Sequence, residues 1–351
     1  MFLCMRNTTS DGTVLQQTLE GVRRRLPPGW TVEEQDGVQR PTLRLRGPDG
    51  RCVDLTVIAR KGLVPRDVPT LVAGAEPPLL VISSYLGERA RELLSQAGAS
   101  YADATGNLRI VVSSPAIFLE GLGAEHDPGR TPRPLHSLRG AAAGRVVRAL
   151  VEFAPPLGVR ELAAAAATPL ATVSRVVTFL ETEALLSRND RKQIVSVDWP
   201  ALLRRWAKDY QLTASNELLT FLEPRGLSAL WPKLKRLRRY AATGGAAGPG
   251  IAATRIAMIY VDEPEDTART LGLVPAEAGA NVWLLRPYDD VVFTRTRRRA
   301  ISAGDASSDV VTVSAAQAVV DLMSSPGRGP QEAEALVEKM KENEHDWRAR
   351  P

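Results

Sequence analysis

Apolar residues recur at helical spacing over residues 14–25, and short alternating stretches follow them. The helical spacing predicts a helix, and the alternating, β-branched stretches predict strands. The predicted strands are Trp30–Glu34, Thr42–Arg46, Val53–Ile58, Leu79–Ser83 and a pair around Tyr101–Val112, with a second helix over Gly87–Gln96. Helices and strands mixed in this way predict an α/β domain over residues 1–122.

Residues 123–139 contain three prolines, two glycines and no apolar period, which predicts a linker. A helical block follows over 140–210, and residues 211–351 form the last predicted domain, an α/β domain with a basic helix over 213–242. Its other predicted elements are strands near 251–261, Asn281–Leu285, Asp290–Thr294 and Asp309–Val313, and helices over Pro264–Leu271, Ala315–Met323 and Gln331–Glu344. The fold class predicted for the chain is multidomain α+β.

The helical block has the order of a winged helix-turn-helix. Its predicted helices are Arg145–Phe153, 158–167 and Leu170–Leu186, with apolar residues at three- and four-residue spacing. Thr168 is a good N-cap, and Pro169 suits the first position of a helix because its φ is already fixed. A strand, a polar tip and a second strand follow over 187–198 and predict the wing.

The pattern also predicts which side chains face DNA. The third helix is expected to bury Leu170, Val173, Val176, Val177 and Leu180. Its other face then carries short polar side chains and one arginine, which suits a helix lying in the major groove, where Arg175 can bind a guanine edge. Wing residues and a neighbouring basic run are expected on phosphates. The predicted DNA-binding residues are Thr168, Ala171, Thr172, Ser174, Arg175, Thr178, Arg188, Arg191, Lys192, Lys233 and Arg236.

Three segments resemble the AbiEi-type family of antitoxins and transcriptional regulators. Residues 84–110 contain Tyr101, Asp103, Gly106 and Asn107 in a Tyr-x-Asp-x-x-Gly-Asn core, and residues 281–296 and 318–336 resemble the C-terminal part of those proteins. The resemblance implies a DNA-binding repressor, often encoded beside a nucleotidyltransferase-like toxin that would be a protein partner. By itself, Asp-x-x-Gly-Asn is typical of a turn, with a nucleic-acid or small-ligand contact as the alternative.

An α-β-β-β-α-β order around Asp54 also resembles the restriction-endonuclease-like core, which suggests a DNA-processing enzyme as an alternative. Those enzymes hold Mg²⁺ between an Asp and a second acid two residues before a Lys. Here Ala59 stands two residues before Lys61 and offers no oxygen ligand. We therefore expect a degenerate domain without catalytic residues, in which Asp54 faces solvent or pairs with Arg44. The paired Asp289 and Asp290 are interpreted as a turn and not as a metal site.

The charge and composition of the chain limit the classes of partner, metal and cofactor that we expect it to bind. The chain has 45 Lys and Arg against 40 Asp and Glu, a net charge of +5 that permits a polyanionic partner. Its two cysteines and three scattered histidines exclude a disulfide framework and make a zinc site improbable, so no metal or cofactor is expected. The basic runs 233–239 and 295–299 are either solvated faces or phosphate contacts. We expect a cytoplasmic protein, since the sequence has no signal peptide or membrane span, and a homodimer that reads two half-sites.

Overall fold

The computed structural model describes residues 9–35, 41–129, 137–248, 255–303 and 306–349. The chain is α+β and divides into two compact units, residues 1–133 with 182–184 and residues 134–181 with 185–351. Each unit is built around its own seven-stranded sheet, counted over the described ranges. Within these ranges, no single helix has the length and apolar character needed to cross a membrane.

The first unit has a mixed sheet whose strands lie side by side in chain order. The strands are β1 (Thr31–Gln35), β2 (Thr42–Arg46), β3 (Cys52–Arg60), β4 (Leu79–Ser83), β5 (Ser100–Asp103), β6 (Leu108–Ser113) and β7 (Ala116–Gly121). The helices are α1 (Thr9–Arg25), α2 (Val68–Ala73) and α3 (Glu88–Gln96), with a 3₁₀ turn at Pro65–Asp67. Strands β3, β4 and β5 are parallel, and the pairs on either side of them are antiparallel.

Helices cover both faces of this sheet. Leu19 of α1 packs in one cluster with Leu80 and Ile82 of β4, whereas Val81 of β4 packs on the other face in a cluster with Leu94 of α3. Because side chains alternate along a strand, four consecutive apolar residues such as Leu79–Ile82 are expected where both faces of the sheet are buried. All five of its residues are buried, which explains its continuous apolar run.

The predicted elements of this unit are found, with two additions. Helix α2 lies between β3 and β4, and the sequence pattern did not predict it. Strand β7 was also missed. It lies at the edge of the sheet and exposes Phe118, so its outward face does not show the polar alternation that marks a half-buried strand.

The second unit combines a small hairpin, a second sheet and many helices. The hairpin strands are β8 (Leu186–Arg188) and β9 (Ile194–Val197). The sheet strands are β10 (Glu217–Leu222), β11 (Ala241–Thr243), β12 (Ala257–Tyr260), β13 (Val274–Pro275), β14 (Val282–Arg286), β15 (Arg297–Ala303) and β16 (Ala306–Thr312), in the order β13-β10-β14-β12-β11-β16-β15.

The helices of the second unit come before, between and after these strands. They are α4 (Ala141–Glu152), α5 (Val159–Ala165), α6 (Leu170–Thr182), α7 (Trp199–Asp209), α8 (Leu212–Ser215), α9 (Leu227–Leu230), α10 (Pro264–Leu271), α11 (Ala315–Met323), α12 (Gly329–Glu342) and α13 (Glu344–Trp347). Short 3₁₀ turns lie at Trp231–Arg236, Gly244–Ala246 and Asp290–Phe293.

The regions 140–210 and 211–351, which the sequence analysis separates, share one hydrophobic core. Val147 of α4 and Trp206 of α7 lie in the same buried cluster as Val319 of α11 and Val337 of α12. Arg148 of α4 is only 1% exposed and reaches the C-terminal part of the chain, where its Nη1 donates to the carbonyl oxygen of Val291 at 2.8 Å. The two regions therefore form one compact unit.

Two predicted elements of this unit are wrong, and a third ends earlier than predicted. The basic helix over 213–242 is instead a short helix, strand β10, helix α9 and a 3₁₀ turn, because Pro224 and Pro232 interrupt the chain and the run 217–222 pairs with β14. The predicted strand Asp290–Thr294 is a 3₁₀ turn capped by Asp289. Helix α6 ends at Thr182, and Leu186 starts a strand.

A buried carboxyl group lies at the centre of the second unit and joins three hydroxyls and an amide. Asp321 of α11 is fully buried and accepts hydrogen bonds from the hydroxyls of Tyr210, Tyr260 and Thr243, at 3.0, 3.1 and 2.6 Å, and from the Gln317 amide at 2.9 Å. Burial raises the pKa of Asp321 to about 6, although these hydrogen bonds oppose the shift.

Asp321 is therefore expected to make the stability of the second unit fall as pH rises. Its folded pKa of about 6 lies above the ordinary value of 3.8, so its contribution is complete below 3.8 and is lost as pH rises through about 6. Relative to the non-titrating variant Asp321→Asn, the wild-type free energy of unfolding should drop by about 3 kcal/mol across this window. Urea unfolding at several pH values measures the difference, and parallel curves for the two proteins would contradict it.

Candidate nucleic-acid interface

Helices α5 and α6 meet at a short turn in the second unit. Residues 166–169 connect them, and the chain direction changes by 113°. Ala167 has a φ of 45°, a left-handed conformation that is uncommon for residues other than glycine. Two helices joined by a three- or four-residue turn at roughly 90–120° have the geometry of a helix-turn-helix.

Thr168 stabilises this turn and does not face solvent. Its side chain is buried, and its hydroxyl donates to the carbonyl oxygen of Ala166 at 2.9 Å. The sequence pattern predicts Thr168 as an N-cap and a DNA contact. Its hydroxyl is used inside the turn, so we remove Thr168 from the interface.

Arg145 of α4 fixes the turn from behind. One of its nitrogens, Nη1, donates to the carbonyl oxygen of Ala167 at 3.2 Å, while Nε and Nη2 bind the Asp289 carboxylate at 3.0 and 2.6 Å. The Asp289 carboxylate raises the pKa of Arg145 above its usual value. Asp289 also accepts from the Val291 N–H at 2.9 Å, which confirms its interpretation as a turn residue. The sequence analysis missed this role of Arg145, because its partner lies 144 residues away.

Helix α6 has one buried and one exposed face. Val173, Val177 and Leu180 are fully buried. The exposed residues include four of the predicted DNA contacts, Ala171, Ser174, Arg175 and Thr178, and Thr172 is half-buried beside them. The Arg175 Nη2 donates to the Thr172 hydroxyl at 3.2 Å, which holds the guanidinium along the exposed face.

Two residues expected in the buried stripe of α6 differ from the prediction. Leu170 is 46% exposed and Val176 is half-buried. Leu170 is the first residue of the helix, where no preceding helical turn covers its side chain. The exposed face therefore contains one large apolar side chain next to Ala171, and such a side chain can contact a thymine methyl group.

A tight hairpin follows α6, as predicted for the wing. Asn189 closes its tip, since its N–H donates to the Gln193 carbonyl oxygen and its side-chain oxygen accepts from the Gln193 N–H, both at 3.0 Å. Lys192 has a φ of 60°, which the tight turn requires. Arg191 and Lys192 are exposed, and neither side chain has a hydrogen bond or ion pair with any residue that the structure describes.

Arg188 has a different role from the one predicted. Its guanidinium is mostly buried and binds both carboxylate oxygens of Glu181 on α6, with Nε donating to Oε1 at 3.0 Å. This pairing raises the pKa of Arg188. Arg188 therefore attaches the hairpin to α6, and we remove it from the predicted interface.

The basic runs also separate into structural and exposed residues. Lys233 is mostly buried, pairs with the buried Glu223 and donates to the Leu271 carbonyl oxygen at 2.8 Å, so we remove it from the interface. Arg236 is exposed at the end of the 3₁₀ turn. In the second run, the Nε of Arg295 lies 3.3 Å from the Oε2 of Glu152, and the Arg299 guanidinium donates to the Gly248 carbonyl oxygen.

In the first unit, Asp54 pairs with Arg44 on the neighbouring strand, as the sequence analysis allowed. Both guanidinium-carboxylate distances are 2.7 Å, and Arg44 lowers the pKa of Asp54. Ala59 is buried in the core. Over the described parts of the chain, no group of three or more His, Cys, Asp or Glu side chains is placed to hold a metal ion.

The Asp-x-x-Gly-Asn segment forms a turn, as expected from its composition. The Oδ1 of Asp103 accepts from the N–H groups of Thr105, Gly106 and Asn107 and from the Thr105 hydroxyl, at 2.7–3.1 Å. Its Oδ2 accepts from the Leu86 N–H and from the Asn107 amide, both at 2.8 Å. These bonds close the turn between β5 and β6.

Comparison with known proteins finds no matching family model, no matching curated protein and no matching solved structure.

The two wing arginines should differ in their effect on stability. Arg188→Ala removes a mostly buried, two-pronged ion pair and should lower the free energy of unfolding by about 1 kcal/mol. Arg191→Ala is the matched control, because its exposed side chain should change stability by less than about 0.5 kcal/mol. Thermal and urea unfolding of the three proteins provide the test. Equal effects of the two substitutions would show that the Glu181 contact does not hold the hairpin.

Proposed function

We propose that this chain is a sequence-specific double-stranded DNA-binding protein that acts as a transcriptional regulator, and that its reading element is the winged helix-turn-helix formed by α4–α6 and the β8–β9 hairpin. The observation that carries the proposal is the exposed face of α6. It presents Thr172, Ser174, Arg175 and Thr178, short polar side chains around one arginine, directly after a helix-turn-helix turn.

Short side chains let a helix approach the floor of the major groove closely. An arginine in their midst can donate two hydrogen bonds to the O6 and N7 of guanine, while hydroxyls reach phosphates or other base edges. The hydrogen bond between Arg175 and Thr172 supports this role, because it restricts the guanidinium before DNA binds.

The hairpin supports the same function through charge. Arg191 and Lys192 are exposed at its tip, without partners among the described residues, so both cations are available to phosphates. Phosphate contacts position a protein on the duplex but carry no sequence information. We therefore assign sequence reading to α6 and backbone binding to the hairpin.

Among the possible roles of a DNA-binding protein, the resemblance to AbiEi-type proteins supports that of a transcriptional regulator. The toxin partner that this resemblance implies remains a prediction. The alternative of a DNA-processing enzyme in the first unit has less support. Arg44 neutralises Asp54, and buried Ala59 occupies the position where the second acid would be needed.

The test begins with DNA sequences that the full-length protein selects from a random duplex pool. Binding to a selected and to a scrambled duplex is then measured by fluorescence anisotropy at several salt concentrations. Arg175→Ala should weaken binding to the selected duplex by about 1–3 kcal/mol, roughly 5- to 150-fold, with little effect on the scrambled duplex. Lys192→Ala should weaken both alike and reduce the salt slope by about one.

Arg269→Ala is the matched control, since this arginine is 75% exposed on α10 in the same unit. It should leave both affinities unchanged. The proposal fails if no sequence is enriched, or if Arg175→Ala lowers the affinity for both duplexes equally.

A further inference from the structure

A pocket of about 360 Å³ lies in the first unit between the C-terminal half of α1 and the turn after β5. Gln17, Thr18, Gly21 and Arg25 line it from the helix, and residues 102–108 line it from the strand and turn. β5 runs parallel to β4 and β3, and in such sheets ligands commonly bind outside the carboxyl ends of parallel strands. The volume lies at the lower end of the range for small-molecule sites.

Two side chains that line this pocket, those of Arg25 and Thr18, have hydrogen-bond donors without a partner among the described residues. The guanidinium of Arg25 has no hydrogen bond or ion pair with any residue that the structure describes. The Thr18 side chain is only 2% exposed, yet its hydroxyl has no hydrogen-bond partner. A buried hydroxyl without a partner is costly, so this group needs an explanation such as a bound ligand.

The carboxylate in the wall of the pocket is already used. Asp103 is 4% exposed, and its two oxygens accept six hydrogen bonds within the turn and from Leu86. Its negative charge is therefore directed into the turn. The positive charges of Arg25 and of the exposed Arg24 beside it are available to a ligand that enters the pocket.

Two glycines keep the pocket open. Gly106 has a φ of 106°, which side chains other than glycine rarely adopt, and without a Cβ atom the Nη2 of Arg25 can lie against the turn; a Cβ there would be 2.8 Å from it. Gly21 is inside helix α1, where glycine costs roughly 0.5–1 kcal/mol relative to alanine. A Cβ at Gly21 would have nothing within 4 Å, and the unfilled space belongs to the pocket.

We propose that this pocket binds a small organic anion with a phosphoryl or carboxylate group, held by the Arg25 guanidinium and the Thr18 hydroxyl. Guanidinium is well suited to such groups, because its planar array of N–H donors matches two oxygens at once. Thr18 would donate to a third acceptor of the ligand. The site is independent of the proposed DNA interface, which lies in the other unit.

The test is calorimetric titration of the full chain with ribose 5-phosphate and with citrate, using uncharged ribose as the negative control. At least one anion should bind, and ribose should not. Arg25→Ala should weaken binding at least about tenfold, and Thr18→Val, which keeps the shape of the side chain, roughly threefold to tenfold. Gly21→Leu should abolish binding by filling the pocket without removing a donor.

Arg23→Ala is the control on the same helix, since Arg23 faces Glu34 and does not line the pocket. It should leave the affinity unchanged. The proposal is overturned if neither anion binds, or if Gly21→Leu and Arg25→Ala bind as well as Arg23→Ala does.

A short DNA duplex is titrated in parallel. Competition between the duplex and the anion that Gly21→Leu removes would overturn the assignment to a small molecule, because the pocket would then be a DNA phosphate site.

Discussion

The burial of α4 is the constraint on which the second unit depends. Most of the apolar residues of this helix are buried, and even its charged residue Arg148 is only 1% exposed. A charge can be buried at this depth only if it is paired and hydrogen-bonded. Arg148 meets this condition with Glu152, whose Oε1 is 2.6 Å from its Nη2, and with the carbonyl oxygens of Val291 and Thr294. These bonds attach α4 to the segment before β15.

One turn earlier, Arg145 connects the same helix to the turn in front of α6. Because Arg145 binds Asp289 and the Ala167 carbonyl oxygen together, the position of the turn depends on the segment between β14 and β15. Sites held on rigid elements keep their geometry better than sites on free loops. The proposed reading helix is therefore presented by the whole second unit and not by an independent module.

The sequence pattern predicted those elements that depend only on residues close together in the chain. The apolar spacing of α6 and the order of the first unit could be derived because burial follows periodicity in amphipathic elements. The assumption that basic side chains are exposed failed at Arg188 and Lys233, whose partners become neighbours only in the folded chain. Likewise, residues 213–242 are basic and look helical by composition, but Pro224 and Pro232 interrupt the chain and prevent one continuous helix. The Asp54–Arg44 pair was one of two alternatives predicted for Asp54, and the two residues lie opposite each other on the antiparallel strands β2 and β3.

The central claim is that the exposed face of α6 lies in the major groove. A single cysteine at Ser174, in a protein with Cys4 and Cys52 replaced by serine, can hold an iron chelate that cleaves nearby DNA. A matched protein has its cysteine at Thr270, which is exposed on α10. On the selected duplex, the account predicts cleavage confined to a few base pairs from Ser174→Cys and little from Thr270→Cys. Diffuse cleavage from both positions, or localised cleavage from Thr270→Cys alone, would contradict it.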